Sequence, residues 1–166
     1  MIRGICVWLL VLGSTTAAAD GDRYVRKIGL PDGRTAVIAE GDFEARSIGT
    51  YAVRLYSSSG ANGDESTFYA AGVILERDGT VEDVRLADLD GKGQQELIVI
   101  VRSAGSGGYL SAQALSFANK RIEVRSHVEG LPKDADPVAA LTRTTHSDTL
   151  MHKGQYHNPN AGARGS

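Results

Sequence analysis

Along this chain, short runs with apolar residues at every second position are separated by turn-forming residues. Tyr51, Val53 and Leu55 alternate with Ala52, Arg54 and Tyr56, the period of a strand whose successive side chains point to opposite faces. Turn signals recur at Pro31-Asp32-Gly33, Glu40-Gly41-Asp42, residues 57–63, Asp78-Gly79, Asp90-Gly91, residues 105–108 and Asn119-Lys120. The pattern predicts strands near residues 23–28, 34–39, 50–56, 68–76, 81–87, 95–102, 110–117 and 121–127. About eight strands with hairpin-length connections make an all-β, single-domain antiparallel β-sandwich or open barrel. Leu97-Ile98-Val99-Ile100-Val101 does not alternate, so both faces of that strand are expected to be buried at the centre of the fold. After Gly130 the alternation fades, and residues 137–143 read either as one helical turn or as a last strand.

The start of the chain departs from this pattern. Met1-Ile2-Arg3, an apolar run over residues 5–12 and Ala17-Ala18-Ala19 before Asp20 have the form of a cleavable secretory signal ending at residue 19. The run is too short to span a membrane. The expected division is therefore a signal peptide at 1–19, a β-domain at 20–145 and a flexible C-terminal tail at 146–166. The single cysteine, Cys6, lies in the segment that would be removed. The exported chain then has neither a disulfide nor a cysteine for lipid attachment. A formal charge of −2 over 166 residues excludes a protein that holds nucleic acid by bulk positive charge.

Candidate chemistry is concentrated in Ser103-Ala104-Gly105-Ser106-Gly107-Gly108-Tyr109, set between two predicted strands. Seven small residues exceed what a hairpin needs, and Tyr109 adds a large amphipathic ring of the type favoured at binding hot spots. Composition leaves two readings open, a spacer or a binding loop. Residues 104–108 loosely match the nucleophile elbow of serine hydrolases, but an elbow turns from a strand into a helix, and residues 110–115 alternate as a strand. His127 has no acidic residue in a recognisable context to orient it as a base, so no catalytic residue is assigned and no enzyme is expected.

Asp88-Leu89-Asp90-Gly91-Lys92-Gly93-Gln94-Gln95-Glu96 is similar to aspartate-rich calcium loops, yet Lys92 occupies a ligand position and Val99 stands where the bidentate glutamate belongs. A turn whose aspartates bond their own backbone is the favoured reading. A calcium- or glycan-binding β-module using Asp88, Asp90 and Glu96 is kept as the alternative. Of His127, His146, His152 and His157 only the last two are close in sequence, which does not make a zinc site. Residues 57–63 lack the lysine and following helix that a phosphate-cradling loop needs. No cofactor is expected.

Asp88-Leu89-Asp90-Gly91 and above all Ser106-Gly107-Gly108-Tyr109, in an exported β-domain without cysteine, carry a family likeness. Over about residues 24–141 the chain resembles the periplasmic lysozyme inhibitors of Gram-negative bacteria, in particular those directed against i-type (invertebrate) lysozymes. Inhibitors of other lysozyme classes carry Ser-Gly-x-x-Tyr, whereas here the tyrosine comes one residue sooner. The tyrosine with a downstream Thr-Lys-Gly of the c-type group is also absent. The resemblance implies a periplasmic protein without membrane anchor whose partner is an i-type lysozyme, protecting the cell's peptidoglycan from host attack. It implies that Ser106 and Tyr109, with Gly107 and Gly108, enter the substrate cleft, and that Arg121 is a basic contact. A lysozyme cleft holds two carboxyl groups, natural partners for hydroxyls and a guanidinium. Exposed strand edges would also allow a homodimer. An ideal hairpin turning at Asn119-Lys120 places Arg121 at the sheet end away from Tyr109, about 20 Å or more distant.

Overall fold

The computed structural model describes residues 23–57, 68–118 and 121–154, with side chains to residue 147. The expected signal peptide, most of the 57–63 turn, the Asn119-Lys120 turn, His157, the side chain of His152 and the end of the expected tail lie outside the described residues.

Strands β1 (Val25–Gly29), β2 (Thr35–Glu40), β3 (Ile48–Ser57) and β4 (Phe68–Asp78) form one antiparallel sheet in chain order. After Gly79, strands β5 (Thr80–Ala87), β6 (Glu96–Arg102), β7 (Leu110–Ala118) and β8 (Arg121–Leu131) form a second, again in chain order. These are the strands that the alternation predicts. Two separate open sheets make a sandwich rather than a closed barrel.

Alternation decides which side chains meet between the sheets. Ala36, Ile38, Tyr51, Val53 and Leu55 from the first sheet pack against Val84, Leu97, Val99, Val101 and Leu115 from the second. The Tyr51 hydroxyl crosses this core and donates to Gln113 Oε1 at 2.7 Å. Burial pushes its pKa well above the ordinary tyrosine value, so this hydroxyl stays protonated and structural.

The even-numbered residues of β6 face the other way. Ile98 and Ile100, with Leu89, Leu110, Ala112 and Ala114, form a second core closed by Leu141 and Val138 of helix α1 (Pro137–Gly154). The continuous apolar run of β6 thus has a different covering layer for each face.

The helix has 18 residues, where the sequence pattern gives one turn or a strand, and it continues through residues 146–154 of the expected tail. Asp136 caps it, its Oδ1 accepting from the amides of Val138 at 3.0 Å and Ala139 at 3.3 Å, with Pro137 at the first helical position. Only a narrow strip touches the sheet, so the apolar period is faint. The hydroxyls of Thr142 and Thr144 bond the carbonyls of Val138 and Ala140, four residues earlier.

Candidate functional site

The 103–109 loop leaves β6, the strand buried on both faces, and re-enters the sheet as β7. Its base is closed by the Ser103 amide donating to the Tyr109 carbonyl at 2.8 Å, and its tip by the Gly108 amide donating to the Gly105 carbonyl at 3.0 Å. That second bond makes residues 105–108 a β-turn with Ser106 and Gly107 at the corners, so the Ser106 side chain stands at the exposed apex.

Each residue of Ser106-Gly107-Gly108-Tyr109 has a physical reason. A Cβ on Gly107 would overlap the Tyr109 ring, so the bare glycine lets the ring lie across the turn. Gly108 has φ +55°, a conformation that side chains disfavour. Tyr109 is 54% exposed, enough to offer ring and hydroxyl to a partner while its backbone is fixed.

A brace holds the loop from one side. Arg102 Nη1 donates to the Gly108 carbonyl at 2.8 Å, while Nε and Nη2 engage the Glu82 carboxylate on β5. The Glu82 hydrogen bonds raise the Arg102 pKa above its ordinary value, and the fork geometry fixes the guanidinium plane. Sequence reading assigns no role to Arg102 or Glu82; their pairing comes from the β5–β6 ladder, in which Arg102 faces Thr80.

Beside the loop, a groove of about 940 Å³ opens between the sheets, its walls including Glu44, Ile48, Arg77, Tyr109, Gln113 and His127. Arg77 is buried and laces this end together. Its guanidinium donates to the carbonyls of Thr50 (3.1 Å), Arg46 (3.0 Å), Ala45 (3.1 Å) and Gly79. It also lies 3.9 Å from Glu40 and 3.7 Å from Glu44.

The Glu44 carboxylate accepts from the Thr50 amide at 2.5 Å and the Thr50 hydroxyl at 2.7 Å. Those two bonds, then the charges of Arg77 and Arg23, hold its carboxyl below the ordinary glutamate value of 4.5. A carboxyl depressed on folding stabilises the fold fully above its unfolded pKa, and the contribution is lost as pH falls through the lower folded value. Urea midpoints measured from about pH 6 down to about pH 3 should therefore fall at the acid end, and Glu44→Gln should flatten that part of the curve.

The other candidates lie elsewhere. Asp88 accepts from the amides of Gly91 and Gly93, Asp90 accepts from the amide and ammonium of Lys92, and Glu96 accepts from the Leu89 amide. These carboxylates serve the turn itself. Among the described residues no group of three or more His, Cys, Asp and Glu is placed to hold a metal. The loop after Ser106 enters a strand, so the elbow geometry is absent, and His127 lies opposite Gln113 on β8.

Arg121 pairs with Ala118 at one end of the β7–β8 ladder, and Leu110 pairs with Leu131 at the other. That separation is about 27 Å at the rise of an antiparallel strand. The structure brings Ser106, Gly107, Gly108 and Tyr109 together and leaves Arg121 at the opposite end. No helix among the described residues is long and apolar enough to cross a membrane.

Residues 22–145 match the family model described as periplasmic lysozyme inhibitor of I-type lysozyme. A similar solved structure is the crystal structure of the periplasmic lysozyme inhibitor of I-type lysozyme from Aeromonas hydrophila. It has TM-score 0.64 and 42% identity, over 71% of this chain and 98% of that one. The Aeromonas hydrophila inhibitor in complex with Meretrix lusoria lysozyme is similar at TM-score 0.64 and 42% identity, over 71% of this chain and 94% of that one. No curated protein matches the chain.

Proposed function

Because this chain belongs to the family of periplasmic inhibitors of I-type lysozyme, whose members are not enzymes, we propose that it seats the Ser106–Tyr109 turn in the lysozyme's active-site cleft. The observation that carries this reading is a rigid projection: an exposed serine at a turn apex and a half-exposed tyrosine, clamped at the base and braced by Arg102. Hydroxyls offered at fixed positions suit a cleft lined by carboxyl groups, and a preorganised loop loses little freedom on docking. The complex of the Aeromonas hydrophila relative with a lysozyme supports the choice of partner. The block is steric, with no bond made or broken. The form of residues 1–19 supports export to the periplasm.

Arg121, at the far end of the β7–β8 ladder from the loop, acts at long range, as a charge that steers approach rather than as a contact in the cleft. Rim charges mainly alter association rate and salt dependence. Arg121→Ala should therefore cost about 1 kcal/mol or less, and less still at high salt.

Titrating the purified chain into a cell-wall lysis assay with an I-type lysozyme should stop lysis at about one inhibitor per enzyme, the stoichiometry of a blocked cleft. Undiminished lysis in the presence of excess chain would sink the proposal. Calcium added in a calorimeter should give no heat, and a saturable heat would favour the module using Asp88, Asp90 and Glu96 instead.

A further inference from the structure

Phe43, on the β2–β3 connection, is the one non-glycine residue among those described with a left-handed backbone, φ +62°. Its ring is fully exposed. A bulky residue in that conformation is strained, and an exposed ring gains no burial to offset the strain. The strain persists because the surrounding backbone is fixed on both sides. The Gly41 amide donates to the Thr50 carbonyl at 3.0 Å, and the Glu44 carboxylate, bonded to Thr50, sits where a Cβ on either Gly41 or Gly49 would overlap it. Arg23 reaches the Glu44 carbonyl, and the Arg77 guanidinium holds those of Ala45 and Arg46. The backbone that carries the ring is therefore held in place, and the ring projects from it into solvent.

That place is at the same end of the sandwich as the 103–109 loop. The Gly79 amide donates to the Ser47 carbonyl at 2.8 Å, and a Cβ on Gly79 would overlap the Arg102 carbonyl. The β2–β3 connection, the β4–β5 turn and the base of the loop thus touch in succession. Glu44, Ala45 and Ile48 also share the walls of one groove with Ser103 and Tyr109, and Ile48 adds exposed apolar surface there. A body that takes Ser106 and Tyr109 end-on faces this ring as well.

We infer that Phe43 is a second anchor of the same interface, seated in an apolar depression beside the cleft of the I-type lysozyme, an inference that rests on the inhibitor reading above. An exposed aromatic side chain is of the type that dominates interfaces once buried, and the fixed backbone beneath it lowers the cost of docking.

The test compares full-length Phe43→Ala, Phe43→Gly, Phe43→Tyr and Tyr109→Ala against the I-type lysozyme of Meretrix lusoria. Phe43→Ala and Phe43→Gly should each weaken binding by about tenfold or more, while Phe43→Tyr retains it. The melting temperature should hold for alanine and rise for glycine, which relieves the backbone. Binding by Phe43→Ala within about twofold of the unaltered chain, with Tyr109→Ala impaired, overturns the Phe43 anchor and leaves the loop reading standing. A loss in Phe43→Ala that Phe43→Gly does not share overturns the anchor too, since folding alone would then be affected. Impairment in the Phe43 variants with Tyr109→Ala intact supports the anchor and overturns the loop mechanism. If the unaltered chain does not bind, both fall.

Discussion

Tyr109→Ala should weaken inhibition of an I-type lysozyme by about 2 kcal/mol or more, roughly thirtyfold in Kd, without altering the melting temperature. Half of the ring is already in solvent, so its removal costs the fold little. The Ser103–Tyr109 and Arg102–Gly108 bonds use backbone carbonyls that alanine retains. What disappears is the part offered to the partner. Tyr109→Phe separates ring from hydroxyl: retention of most of the affinity would assign the effect to buried apolar area, and loss of most of it to the hydrogen bond. Ser106→Ala removes one exposed hydroxyl and should cost about 1 kcal/mol. Full inhibition by the Ser106→Ala, Tyr109→Ala double variant would end the loop mechanism.

Arg77→Ala should cost about 3–5 kcal/mol of folding stability, the range expected when one member of a buried charge cluster is deleted. Its side chain is 0% exposed, beside Glu40 at 1%, so the remaining carboxylate would face the interior without its guanidinium. Four carbonyls lose their donor together. Against a typical total of about 5–15 kcal/mol, such a loss moves a urea midpoint far enough to be unmistakable. Arg77→Lys keeps the charge but cannot span the same carbonyls, and should fall between the two. A change below about 1 kcal/mol, the scale of a surface pair, would show that the cluster contributes little. Because Arg77 holds the β2–β3 connection and Gly79, its loss should also loosen the end of the sandwich that carries the loop.

Much of this fold is legible in the sequence because strands announce themselves locally. Tyr51, Val53 and Leu55 alternate and are all buried, and the unbroken run from Leu97 to Val101 marks a strand covered on both faces. The helix is less legible, since Thr142, Arg143, Thr144 and Thr145 dilute its apolar period. Its start nevertheless carried a signal in Asp136-Pro137, a capping residue followed by the residue best suited to the first helical position.

The loop at 103–109 shows itself through its glycines; what braces it does not. Arg102 and Glu82, on separate strands, or Arg77 and Ala45, on a strand and a distant connection, meet only when the chain folds, and no spacing rule connects them. One clue was available. Glu40 continues the inward row Ala36-Ile38, and Arg77 continues the inward row Ala71-Val73-Leu75. A charge in phase with an apolar row needs a buried partner, and two such charges at strand ends could have been paired. The same ladder logic correctly places Arg121 far from Tyr109.

Every hydrogen-bonded pair of strands joins neighbours in the chain, and Gly79 alone separates the half that ends at Asp78 from the half that begins at Thr80. Each half is a low-contact-order meander, able to form its ladders from contacts close in sequence before meeting the other. The contacts most distant in sequence are those that join the two halves face to face. The end that carries Phe43 in one half and Ser106 and Tyr109 in the other is therefore assembled by the packing of the two sheets, and no single half contains it.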